Sequence, residues 1–246
     1  LHSTSRRQRQ MCIRDRTMNE KIEIMGISLD TCSVEEIIES INVHWLQEES
    51  LSTYGTLTMK LLMAAQKDPA LKDYIQMLDK AMPDDPEVLW AADLHDGKLE
   101  EEISQHDFVG SLFWLLAQYR NHIFILGETV EDTEDMFQYL REKYPDIVVT
   151  GRDCLLTGES DQVDRVINEI NAVSPQAVLS CSRTFELEKF VKKNRKMINS
   201  RVWFSLGNCQ EIWKGPGLKP AWLGKIMEKN IFKKMVSSYK EEKKEI

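Results

Sequence analysis

The sequence predicts an α/β fold: a Rossmann-like, doubly wound, mainly parallel sheet with a C-terminal helical appendage. Three observations carry this. Beyond Asp107, continuous apolar runs of three to five residues recur about 25 to 30 residues apart: Ile123-Phe124-Ile125-Leu126, Ile147-Val148-Val149, Ala177-Val178-Leu179 and Val202-Trp203-Phe204-Ser205-Leu206. Strands covered on both faces read this way, whereas half-exposed strands alternate. Between the runs lie segments with apolar residues at helical spacing, the crossovers that parallel strands require. The ligand site of such a sheet lies at the carboxyl ends of its strands.

Taken in order, residues 22–29 read as a short strand, and Ser33 with Glu36 forms a capping box opening a helix through Trp45. Residues 53–56 read as the end of a second strand, leading into a helix with Leu57, Leu61, Leu62 and Ala65 on one face. Asp68-Pro69 breaks that helix and starts another helical stretch through Asp79. Asp84 follows in Met82-Pro83-Asp84-Asp85-Pro86, at the end of a strand and ahead of the apolar run Val88-Leu89-Trp90-Ala91. Helices are then marked by Val109, Leu112, Phe113 and Leu116, by Met136, Phe137 and Leu140, by Val163, Val166, Ile167 and Ile170, and by Phe185, Leu187, Phe190 and Val191. The stretch 225–246 is rich in lysine and glutamate, with Ile226, Met227, Ile231, Phe232, Met235 and Val236. It fits an amphipathic helix on a membrane surface, or a solvated terminal helix packing one face on the body. The expected organisation is a leader (1–17), an α/β domain (18–222) and a helical tail (223–246).

Composition narrows the function. The first sixteen residues carry five arginines and one aspartate, have no apolar h-region, and resemble a translated sequencing-adapter read, which places the expected natural start at Met18. Setting aside this net +4 takes the chain from −8 to about −12, a balance that argues against a nucleic-acid groove. No run of eighteen apolar residues occurs, so no membrane-spanning helix is expected. The five cysteines are scattered, without a Cys-x-x-Cys, and the five histidines show no ligand spacing, so neither zinc nor a disulfide framework is expected. A reducing cytoplasm fits this cysteine usage.

Asp84 is the residue on which chemistry is best placed. A carboxylate clamped by prolines at a strand's carboxyl end is where α/β enzymes seat a general base. Pro-Asp-Asp-Pro is also ordinary turn chemistry.

A collinear set of short segments surrounds it: Ile22-Glu23-Ile24-Met25-Gly26; Thr56-Leu57-Thr58-Met59-Lys60 running on to Ala65 and Asp68; Pro83-Asp84-Asp85; Ile125-Leu126-Gly127; Tyr144-Pro145; Val149-Thr150-Gly151. In order and spacing, over residues 24–222, this set resembles the WecG/TagA/CpsF family of bacterial glycosyltransferases. The resemblance implies an inverting, metal-independent transfer of N-acetylmannosamine, its uronate or a related sugar. The donor would be a UDP-sugar, with no further cofactor, and the acceptor a polyprenyl-diphosphate-linked sugar. It implies Asp84 as base, and Thr56, Thr58, Asp107, Gly127, Glu188 and Glu211 on substrate. It also implies work at the cytoplasmic face of the membrane, in cell-envelope polysaccharide or teichoic-acid assembly, with contact through the tail. Gly127 reads equally as a close approach to phosphate or as a tight strand-to-helix turn.

The departures from the family pattern are specific. Thr58 replaces an asparagine, Asp85 the glycine of Pro-Asp-Gly, and Glu102 the arginine expected to meet the diphosphate. Of Gly-x-Pro-Lys-Gln-Glu only Glu188 survives, and Gly207-Asn208-Cys209-Gln210-Glu211 stands for Gly-Gly-x-Phe-Asp. Leu218-Lys219-Pro220-Ala221-Trp222 lacks the arginine of its landmark, leaving Lys219, Arg183 or Arg152 as other sources of a cation. Reversing a phosphate-facing charge costs roughly a few kcal/mol. A second reading follows: a catalytically silent homologue that binds a sugar nucleotide or acts as a scaffold.

Overall fold

The computed structural model describes residues 21–47, 50–156, 159–208 and 220–243. The expectations for the leader, for Glu211 and for Lys219 lie outside them.

The segment expected as one strand is a hairpin, β1 (Lys21–Ile24) and β2 (Ile27–Asp30), paired antiparallel. Met25 and Gly26 form its two-residue loop, with φ of 48° and 73°. Positive φ at both loop positions matches the twist of the flanking strands, and glycine takes it without strain. Reciprocal bonds between Ser33 and Glu36 open α1 (Val34–Gln47).

The chain continues through β3 (Ser52–Leu57), α2 (Met59–Ala65), α3 (Pro69–Met77) and β4 (Lys80–Pro83). Then come α4 (Pro86–Ala91), α5 (Gly97–Ser104), α6 (Asp107–Gln118) and β5 (His122–Gly127). After these follow α7 (Val130–Lys143), β6 (Val148–Cys154), α8 (Ser160–Val173), β7 (Ala177–Cys181), α9 (Glu186–Asn194), β8 (Val202–Ser205) and α10 (Pro220–Glu242). Six strands form one sheet in the order β4-β3-β8-β7-β5-β6, with every neighbouring pair parallel. This is the α/β architecture expected from the apolar runs.

Two apolar layers sandwich the sheet. Tyr54, Met82, Ile123, Ile125, Leu179 and Phe204 face α1, α6 and α7, while Leu57, Ala81, Phe124, Leu126, Val178 and Trp203 face α2, α3, α8, α9 and α10. Alternation within each strand delivers the two sets to opposite faces. The hairpin is seated at the β4 edge, where Asp30 accepts from the Ala81 N–H at 2.9 Å and pairs with Lys80 at 3.4 Å. That carboxylate satisfies an otherwise open edge amide. On α10, Phe232 and Val236 are buried in the same layer as α2, so one face packs on the body. Ile226, Met227 and Ile231 of that helix stay exposed. Among the described residues no helix is long and apolar enough to cross a membrane.

Candidate active site

Asp84 follows β4 directly. Its N–H donates to Leu57 O at 3.0 Å, extending the β3–β4 ladder one residue past the strand. Pro83 ends β4 and Pro86 starts α4, so the two prolines leave Asp84 and Asp85 a short, fixed path. Thr56 lies beside it on β3, in register with Met82. Asp84 and Thr56 line one cleft at the carboxyl end of the sheet, of about 420 Å³ including its open mouth. Its walls come from α1 (Ile37), α5 (Leu99, Glu102) and α6 (Val109). The Thr56 hydroxyl is buried and has no hydrogen-bond partner. Close to it, Gly207 runs at φ +63°, and a Cβ there would lie 3.6 Å from that oxygen. A buried, unsatisfied hydroxyl costs roughly 1–3 kcal/mol, which a ligand group can offset.

Two of the departures from the family pattern, Asp85 and Glu102, hold helix starts. Asp85 Oδ2 accepts from the Met59 N–H at 2.8 Å, closing the start of α2. Glu102 Oε2 accepts from the Val34 N–H at 3.0 Å, closing the start of α1, while Lys98 pairs with Glu102 from one turn away. Carboxylates at helix starts satisfy orphan amides and complement the dipole. Thr58 is likewise committed: its hydroxyl accepts from the Leu61 N–H and caps α2. Asp107 is the first residue of α6 and does not line the cleft. The preceding residue does. His106 reaches in with Nδ1 3.9 Å from Asp84 Oδ1. Sequence reasoning passed over His106, because only metal spacing was sought among the histidines.

Gly127, Glu188, Arg183 and Arg152 do not line this cleft. A Cβ on Gly127 would stand 2.9 Å from Thr133 Cγ2, 3.0 Å from Asp132 Cβ and 3.1 Å from Thr129 O. The close approach is therefore made by α7 of the same chain. The next residue, Glu128, binds the loop after β7. Its carboxylate accepts from the Ser182 hydroxyl (2.6 Å), the Arg183 N–H (2.9 Å) and both the N–H and the hydroxyl of Thr184. Burial pushes the Glu128 carboxyl up, but these donors outweigh it and hold it below its ordinary value. No motif marked Glu128; its position directly after a strand-ending glycine was the available signal. Arg183 forks onto Asp132, and Arg152 pairs with Glu134 over the Phe137 ring.

Glu188, in the first turn of α9, is buried, and its Oε2 has no hydrogen-bond partner. Burial, with the charges of Glu128 and Glu186 adding to it, pushes its carboxyl up to about 7 against the opposing Ser182 hydrogen bond.

The molecule is thus a parallel α/β protein with a carboxylate-bearing cleft at the carboxyl end of its sheet, where such folds place their ligand sites. Its sequence matches the model of the Glycosyl transferase WecG/TagA/CpsF family over residues 22–226, and the chain belongs to that family. Curated relatives include proteins named N-acetylglucosaminyldiphosphoundecaprenol N-acetyl-beta-D-mannosaminyltransferase from Staphylococcus aureus strains MRSA252, NCTC 8325 and COL. Each is 18% identical over 206 residues, covering 83% of this chain and 80% of the relative.

Proposed function

We propose that this protein is a glycosyltransferase. It moves an N-acetylhexosamine-type sugar, N-acetylmannosamine or its uronate, from a UDP-sugar to a polyprenyl-diphosphate-linked acceptor in cell-envelope polysaccharide synthesis. The observation that carries the reading is the Asp84 carboxylate, fixed at the end of β4 in a cleft it shares with the unpartnered Thr56 hydroxyl. The relatives' names supply the sugar and the lipid-linked acceptor. In the reaction, Asp84 takes the acceptor hydroxyl proton as the new bond forms at the anomeric carbon, with inversion and without a metal ion. The Thr56 hydroxyl donates to the donor substrate. The exposed Ile226, Met227 and Ile231 on α10, with Lys233 over the Trp90 ring, form the face turned to the acceptor's membrane at its cytoplasmic side.

One observation favours a second reading, a silent homologue that binds a sugar nucleotide or holds a partner. Among the described residues lining the cleft, Asp84 and Glu102 are acidic and none is a lysine or arginine, while Lys98 pairs with Glu102 from outside the lining. Calorimetry with UDP and UDP-N-acetylmannosamine tests the donor site: micromolar binding, weakened about tenfold in Thr56→Val, supports it, and silence at millimolar nucleotide removes it. Sugar transfer to a polyprenyl-diphosphate-linked acceptor, lost in Asp84→Asn, then separates the transferase from a homologue that only binds.

A further inference from the structure

Beside Asp84 stands a histidine in a position the helix does not require. His106 precedes α6 with φ +56°, a left-handed conformation that glycine or asparagine adopts more readily. A side chain at that position ordinarily accepts a hydrogen bond from the helix's first turn, and the His106 imidazole makes none. The ring turns instead into the cleft, with Nδ1 3.9 Å from Asp84 Oδ1. Of the two side chains the imidazole is the better reached by water, 36% exposed against 22% for the carboxylate. Unfavourable backbone, absence of a capping role and approach to the candidate base coincide at one residue. Strain held at such a place is a pointer to function.

We propose that His106 is a positioning residue that acts through Asp84, orienting the carboxylate and passing its proton out to solvent after each transfer. The inference rests on the glycosyl-transfer reading above. The acceptor oxygen bonds to the anomeric carbon as the bond from that carbon to the UDP oxygen breaks, and that electron pair leaves with UDP. The hydroxyl proton goes to Asp84, then to His106, then to water, which restores the charged carboxylate. A gap of 3.9 Å exceeds a hydrogen bond and is spanned by one water or a small rotation of the ring.

The other titratable or charged groups at this corner have their own places. Glu102 from α5 accepts from Val34 and pairs with Lys98, Cys32 lines the cleft ahead of α1, and Asp107 lies in the first turn of α6. The approach of His106 Nδ1 to Asp84 Oδ1 joins the two side chains across the cleft mouth.

The test is His106→Gly, which suits the left-handed backbone, compared with wild type and with His106→Gln in the full chain. The glycine variant is expected to melt no lower than wild type and to bind UDP-sugar equally, with KM unchanged and kcat reduced at least about tenfold. Imidazole at tens of millimolar restores kcat in His106→Gly and not in His106→Gln. The pH dependence of wild-type kcat changes in the glycine variant, and with added substituted imidazoles the rescued rate follows their basicity. Wild-type kcat and pH profile in His106→Gly overturn the relay and leave the transferase intact. A loss that imidazole does not rescue marks a structural role and also overturns it. A wild-type chain that transfers nothing to any acceptor removes the transferase reading and this inference together.

Discussion

Glu188 sets up a stability experiment whose sign and size both follow from its burial. In the folded chain the carboxyl titrates at about 7, against 4.5 when solvated. Below pH 4.5 both folded and unfolded chains hold the proton, and the residue costs nothing. Between 4.5 and 7 the unfolded chain releases it while the folded chain keeps it, so stability falls as pH rises and levels off above 7. The whole step is about 3 kcal/mol. Glu188→Gln cannot ionise and keeps nearly the same shape. The variant should therefore gain on wild type by about 2.5 kcal/mol between pH 5 and pH 8, which is about 5 to 10 °C in melting temperature for a chain of this size. Any fixed effect of the amide shifts the variant equally at every pH, so the difference between the two pH profiles is the quantity to read. Urea unfolding at pH 5, 6, 7 and 8 measures it. Parallel profiles would falsify the reasoning, because they would mean that water or a bound ion reaches Oε2 and solvates the charge.

Two further substitutions separate roles at the predicted site residues. Asp84→Asn should lower kcat by about a hundredfold or more while leaving the melting temperature nearly unchanged, since the structural bond from its backbone N–H to Leu57 O survives; a large fall in melting temperature would instead assign Asp84 to the turn. Gly127→Ala should cost about 1 to 3 kcal/mol, because its Cβ would stand 3.1 Å from the Thr129 carbonyl and 2.9 Å from Thr133. An alanine variant of full stability that has lost UDP binding would restore Gly127 to the phosphate.

The sheet was legible wherever strand identity is a local property. Ala177 to Leu179 and Val202 to Phe204 are apolar because both faces of each strand are covered, and that condition is written into consecutive residues. The hairpin was half legible. Its apolar residues announced a strand, but the reversal at Met25-Gly26 depends on two positive φ angles that an unremarkable Met-Gly pair does not advertise. Asp84 and Thr56 could be brought together because each ends a strand. The departures at Asp85 and Glu102 could not be interpreted, since their partners Met59 and Val34 lie 26 and 68 residues away in the chain. A charge reversal inferred by matching motifs became two helix caps once distant elements were in place. His106 escaped for the same reason: its meaning lies in a side chain 22 residues earlier and across the cleft.

The packing of α10 has a consequence for how the protein is made. Phe232 and Val236 fill the layer beneath α2, Lys243 pairs with Glu23 at 2.8 Å, and the Tyr239 hydroxyl comes within 3.0 Å of the place a Cβ would occupy on Gly26. The first hairpin is thus closed over by residues synthesised some two hundred positions later. Translation releases the apolar face of α2 early and the helix that packs beside it late, so shortening α10 should appear first as aggregation during synthesis rather than as lost activity in the finished molecule.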